Sequence, residues 1–190
     1  MRGRREKGQY GYRDFHRKVQ AAKVIFGGAM ILLQLAARNF TDNEAAKNIL
    51  TVMAILSVLP TANVASPLLA SWKYRTPPRE FYMRMAQLEA KGSILYDLII
   101  TSREQIMPMD AVMVHPMGVF ALCSGEKVDV KKAERFLNET FKSNRLDENV
   151  KVMREEKAFL KRADSLKPAG EFEDDGSVEY EIRVLKGLSM

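Results

Sequence analysis

Two long uncharged runs near the start of the chain, Val24 to Ala37 and Ile49 to Trp72, dominate its pattern of apolar and polar positions. With Ala21 and Phe40 as ends, the first predicts a helix over 21–40, and the second predicts one over 49–72. A helix rising ~1.5 Å per residue needs about 20 residues to cross ~30 Å of hydrocarbon, so each run is long enough to span a bilayer. Lys23 can extend its ammonium to the headgroups while its stem stays in apolar surroundings. Gly27, Gly28 and Ala29 would let a neighbouring helix approach closely. Pro60, Asn63 and Pro67 are at odds with a soluble helix, but a membrane helix tolerates them where a neighbour or local distortion satisfies the freed backbone groups. Trp72 and Tyr74 close the second run, where interfacial aromatics are favoured. A buried helix of a soluble protein and a cleaved secretory signal are the competing readings. The long charged leader and the second apolar run argue against the signal.

Beyond Thr76-Pro77-Pro78, a stiff connector, the periodicity changes. Phe81, Met85 and Leu88 recur at helical spacing and predict a helix from Pro78 to Lys91, with Gly92 as its stop. Ile94 to Thr101 is short and β-branched, and reads as a strand. Asp110 to His115 and Val119 to Ser124 read as two strands joined by the turn Pro116-Met117-Gly118. Asp129 to Lys142 is amphipathic, with Val130, Ala133, Phe136, Leu137 and Phe141 on one stripe. Asn149 to Met153 alternates as a strand would, although 150–163 also fits one helix. Pro168 to Gly176 reads as a polar turn region. Val178, Tyr180, Ile182 and Val184 alternate with charged residues and predict a closing strand. The pattern therefore predicts an α/β fold: an N-terminal two-helix transmembrane hairpin (21–75) followed by a small α/β domain with a mixed sheet (79–190).

Charge adds orientation. The chain carries 30 basic and 24 acidic residues, a net charge of +6. Residues 1–23 hold eight of the basic side chains and two acids, which accounts for the whole excess. A nucleic-acid-binding domain concentrates positive charge on its folded module, so nucleic acid is not the expected partner. Residues 1–20 read instead as a basic, mobile cytoplasmic tail, with Tyr10, Tyr12 and Phe15 available to a headgroup layer. Lys73, Arg75, Arg79 and Arg84 follow the second run, whereas the loop 38–48 is charge-balanced. The positive-inside bias predicts a multi-pass membrane protein with both termini in the cytoplasm. The partners expected are the lipid bilayer and a protein that the sequence does not name. A single cysteine, Cys123, excludes an intramolecular disulfide and a cysteine-built zinc site.

The stretch Asp110, apolar strand, Pro116, Gly118, Val119-Phe120 and second apolar strand resembles the hairpin of the nuclease-related domain family, a branch of the restriction-endonuclease-like fold. Leu95-Tyr96-Asp97-Leu98 is similar to that family's first strand. The resemblance covers about residues 91–128. It implies a catalytic Asp, a Glu-x-Lys on the second strand, and a divalent metal such as Mg²⁺ that polarises phosphate. Counting from Asp110 puts the Glu position at Cys123 and the Lys position at Gly125, so both are lost. A thiol is a poor Mg²⁺ ligand. The expectation is a degenerate site: no catalytic residue, no metal and no cofactor, in an anchored non-catalytic interaction or scaffold protein. The competing reading is a membrane-tethered nuclease with a site relocated to Asp110, Glu126 and Lys127 and loaded with Mg²⁺.

Other chemistry is weaker. Met107, Met109, Met113, His115, Met117 and Cys123 share parity and offer soft ligands of the kind Cu(I) takes, but the turn at Pro116 resets the parity and Met is a common core filler. No glycine-rich phosphate loop follows a strand. Cys123 ends an apolar strand and reads as a buried apolar residue.

Overall fold

The computed structural model describes residues 5–173 and 175–190. The chain forms two compact units, one of residues 14–74 and one of residues 1–13 with 75–190.

The smaller unit is a helical hairpin. Helix α1 (Tyr12–Asn39) contributes all but its first two residues, and α2 (Glu44–Ser71) follows a short loop. Asn43 caps α2 by accepting from the Ala45 and Ala46 amides at 2.9 and 3.4 Å. The helices run antiparallel: Gly27 faces Thr61, and Ser57 Oγ lies 3.4 Å from Gln34 Oε1. A Cβ on Gly27 would come within 2.4 Å of Thr61 Oγ1, so glycine is what permits this approach. Pro60 and Pro67 both lie inside α2. Both helices are long and apolar enough to cross a membrane, and only 6% of each apolar window is buried. Ile25, Phe26, Leu32, Ile55, Leu56 and Leu59 all lie exposed, unlike the side chains of a soluble core helix.

The larger unit is α/β, with a mixed four-stranded sheet. Its elements are α3 (Arg79–Ala86), β1 (Ser93–Thr101), β2 (Ile106–His115), β3 (Gly118–Leu122), α4 (Val130–Ser143), β4 (Val150–Met153), α5 (Glu156–Asp164) and α6 (Ser177–Leu188). Sheet order is β1-β2-β3-β4, with the first two pairings antiparallel and the last parallel. The β2–β3 hairpin turns through Pro116 and Met117, and Gly118 takes the positive φ of 130° that the turn requires. The parallel return to β4 runs through α4, whose N-cap Asp129 accepts from the Lys131 and Lys132 amides.

Helices cover both faces of the sheet. On one, Ala133, Leu137 and Phe141 of α4 and Leu185 of α6 bury Leu98, Ile100, Val112, Val114 and Val152. On the other, Phe81 and Met85 of α3 and Phe159 and Ala163 of α5 bury Tyr96, Ala111, Met113 and Phe120. The edge strands are closed by local means. On β4, Asn138 pairs with the amide and carbonyl of Val150, and Glu134 accepts from Val152 N–H. On β1, bridges from Gly8 to Tyr96 and from Ser189 to Ile100 occupy the outer side. Blunted edges of this kind suppress strand addition.

Three expectations need correction. The stretch 178–184 is helical, because Val178, Ile182, Leu185 and Leu188 also recur at helical spacing and together cover the α4 side of the sheet. Residues 150–163 are not one helix: the alternating stretch 149–153 supplies β4, as its pattern predicts, and α5 follows it. The predicted tail folds. Residues 5–13 lie along β1, Tyr10 stacks on Tyr82 at 4.6 Å, and Tyr12 and Arg13 are buried. Neither Tyr10 nor Tyr12 is therefore free for a headgroup layer. Residues 1–4 lie outside the described residues.

Candidate functional site

Two aspartates interrupt apolar strands, Asp97 in β1 and Asp110 in β2. They stand opposite each other, at the one position where the β1–β2 ladder is broken: Tyr96 pairs with Ala111 and Leu98 with Met109, but 97 does not pair with 110. Asp97 has a positive φ of 58°, uncommon for a residue other than glycine. Both strands change phase here. Leu95 and Leu98 fall on the same face, as do Met109 and Val112, although each pair is three residues apart. A two-residue period would put them on opposite faces. This matched kink frees both carboxylates from the pleat.

The guanidinium of Arg13 fills the break. Its Nη2 donates to Leu98 O at 3.1 Å and to Met109 O at 2.7 Å, one carbonyl from each strand. Its Nη1 donates to Asp110 Oδ1 at 2.8 Å and to Arg75 O at 3.1 Å. Nε lies 3.9 Å from Asp97 Oδ1, and neither of these two atoms has a hydrogen-bond partner. Arg13, Asp97 and Asp110 are 5%, 1% and 6% exposed, so this is a buried triad.

Asp97 also joins two distant stretches. Its Oδ2 accepts from Gly11 N–H and from Thr76 Oγ1, both at 2.7 Å. The carboxyl thus satisfies the Gly11 N–H just ahead of α1. Tyr10 Oη donates to Pro77 O at 2.8 Å. The residues leading into α1 and those leaving α2 are thus clasped to the same two strands. Burial raises the Asp97 carboxyl above its ordinary range, and the Arg13 charge and the Thr76 and backbone donors offset only part of that.

The other side of Asp110 opens on a cleft. Its Oδ2 accepts from Ser124 N–H at 3.1 Å and from Ser124 Oγ. Arg75, Glu80, Arg84, Arg154 and Glu156 line the remainder of a cavity of about 400 Å³. Arg84 is already spent on Glu156, with Nε at 2.6 Å and Nη2 at 3.1 Å.

The other predicted residues do not join this site. Asp110 is mid-strand, not at a strand start, because β2 begins at Ile106. Cys123 is fully buried in the core on the α4 side, and burial pushes its thiol up. Gly125 packs against Pro108 and Val128. Glu126 and Lys127 are exposed on the turn before α4. The soft-ligand set is dispersed: Met107 and Met109 lie on one face, Met113 on the other, and Met117 is exposed. His115 is held by Lys167 O at 2.9 Å and by Met117 N–H at 3.0 Å. Among the described residues, no three His, Cys, Asp or Glu side chains converge.

The metal implied by the resemblance does not fit these groups. Both Asp110 oxygens are engaged, a guanidinium already sits against the carboxylate, and the flanking positions supply a buried thiol and a glycine. Sequence reasoning missed Arg13 and Asp97. The available signal was a carboxylate in the middle of each apolar strand, since a buried charge requires a partner of opposite sign. Comparison with family models, with characterised proteins and with solved structures finds no match to this chain.

Proposed function

We propose that this chain is a membrane-anchored, non-catalytic interaction or scaffold protein, whose cytoplasmic head is a degenerate nuclease-like module. The observation that carries the reading is Arg13 held against Asp110: the carboxylate that a nuclease would commit to a metal is spent on a guanidinium from the same chain. The two apolar, outward-facing helices support the anchor, and the basic flanks support cytoplasmic termini. The contacts of Asp97 and Asp110 with Gly11, Arg13 and Thr76 support a structural role for the degenerate site, holding the segments that flank the hairpin in sequence against β1 and β2.

The test uses the purified full-length protein with Mg²⁺ or Mn²⁺ on single- and double-stranded DNA and on RNA. No cleavage is expected. Cleavage that Asp110→Ala abolishes would overturn the reading in favour of a tethered nuclease working through Asp110, Glu126 and Lys127. Membrane insertion is tested separately by alkaline carbonate extraction, in which the protein should stay with the pellet.

A further inference from the structure

The two ends of the helical hairpin differ in charge. At the end where the chain enters α1 and leaves α2, residues 14–23 and 72–74 carry Arg17, Lys18, Lys23 and Lys73 against Asp14 alone. At the opposite end, Arg38 and Lys47 are balanced by Asp42 and Glu44. The basic end is also built. The Arg17 guanidinium lies 5.7 Å from the centre of the Trp72 ring, joining the start of one helix to the end of the other. Lys73 Nζ lies 4.8 Å over the Tyr74 ring. Arg17 approaches Asp14 at 3.1 Å, yet its Nη1 is shielded from solvent without a hydrogen-bond partner. Lys18, Lys23 and Lys73 at the same end are exposed.

We infer that this collar selects anionic phospholipids, with the headgroup phosphodiester accepting from the exposed Lys18, Lys23 and Lys73 while Trp72 and Tyr74 rest at the apolar boundary. The inference rests on the anchor reading above and adds a lipid class to it. Charge complementarity is what identifies the occupant: three exposed lysines and a guanidinium stand at this end against one carboxylate. A zwitterionic headgroup offers the same phosphate but cancels its charge with a choline, so it gains little from four cations. The balanced end of the hairpin has no such preference.

Trp72 is the only tryptophan in the chain and lies inside the collar, so its fluorescence reports directly on the neighbouring lipids. The full-length protein is reconstituted in vesicles that contain brominated phosphatidylglycerol or brominated phosphatidylcholine at equal mole fraction. Quenching by the brominated phosphatidylglycerol should exceed that by the phosphatidylcholine about two-fold or more. The ratio should fall towards one in high salt and in the Lys18→Gln/Lys23→Gln/Lys73→Gln variant, whose substituted side chains are all exposed. Equal quenching by the two lipids in the wild type would overturn the selectivity and leave the anchor intact. Quenching by neither would overturn the anchor itself.

Discussion

Arg13 and Asp110 form a buried ion pair, with Nη1 to Oδ1 at 2.8 Å, that links the second residue of α1 to the middle of β2 across 97 positions of sequence. Charge pairs in such places are expensive to assemble and more expensive to break, because the surviving partner is left buried without a counter-charge.

Arg13→Ala should therefore destabilise the α/β unit by about 3–5 kcal/mol, measured by urea unfolding of the detergent-solubilised chain. The loss should be smaller when Asp110→Asn is already present, since the pair is coupled. Free guanidinium at low millimolar concentration should restore part of the stability of Arg13→Ala and none of that of the double variant. Equal stability of Arg13→Ala and wild type would contradict a clasp at this site.

A third buried carboxyl, away from Asp97 and Asp110 in the chain, sets a pH dependence. Glu181 on α6 is 5% exposed, and its Oε2 has no hydrogen-bond partner. Burial, with Asp147 and Asp175 adding to it, pushes the carboxyl up from 4.5 to about 7. The stability that this group confers is fully present below about pH 4.5 and is lost as pH rises through about 7. The loss is on the order of 2–3 kcal/mol. Glu181→Gln should match wild type near pH 4.5 and melt several degrees higher near pH 8, as followed by circular dichroism. A constant difference across that range would show that proton binding at Glu181 is not the cause.

Cys123 is fully buried, and burial raises its thiol. It should react with a chromogenic disulfide reagent only after denaturation, at pH 8 and below. Cys123→Glu, which restores the residue expected from the resembled hairpin, should unfold the domain or destabilise it by several kcal/mol, because it places a carboxylate in the apolar core on the α4 side of the sheet. Rapid labelling of the native protein would contradict the packing.

Gly27 and Gly28 are adjacent but should respond differently. A Cβ on Gly27 meets Thr61, whereas one on Gly28 meets nothing within 4 Å. Gly27→Val should loosen the hairpin and lower its melting temperature in detergent, while Gly28→Val, with the same helix propensity, should leave it near wild type. Equal effects would mean that propensity, not helix–helix approach, governs the site.

The sequence alone determined whatever depends on local pattern. Uncharged length marked the two helices, β-branched runs marked β1 to β3, and Pro116 to Gly118 marked the turn, because these signals are carried by residues close together in the chain. It was misleading at 178–184, where the same residues satisfy a period of two and a period near four. Only the sheet face left open beside α4 decides between those periods. Asp110 could be singled out from sequence, but its partner could not. Arg13 lies far away in a stretch whose composition reads as a solvated basic tail, and nothing local distinguishes it from Arg5 or Arg17. Tertiary structure decided its role, because a buried carboxylate must be met by an opposite charge and the chain path along β1 brings this one within reach.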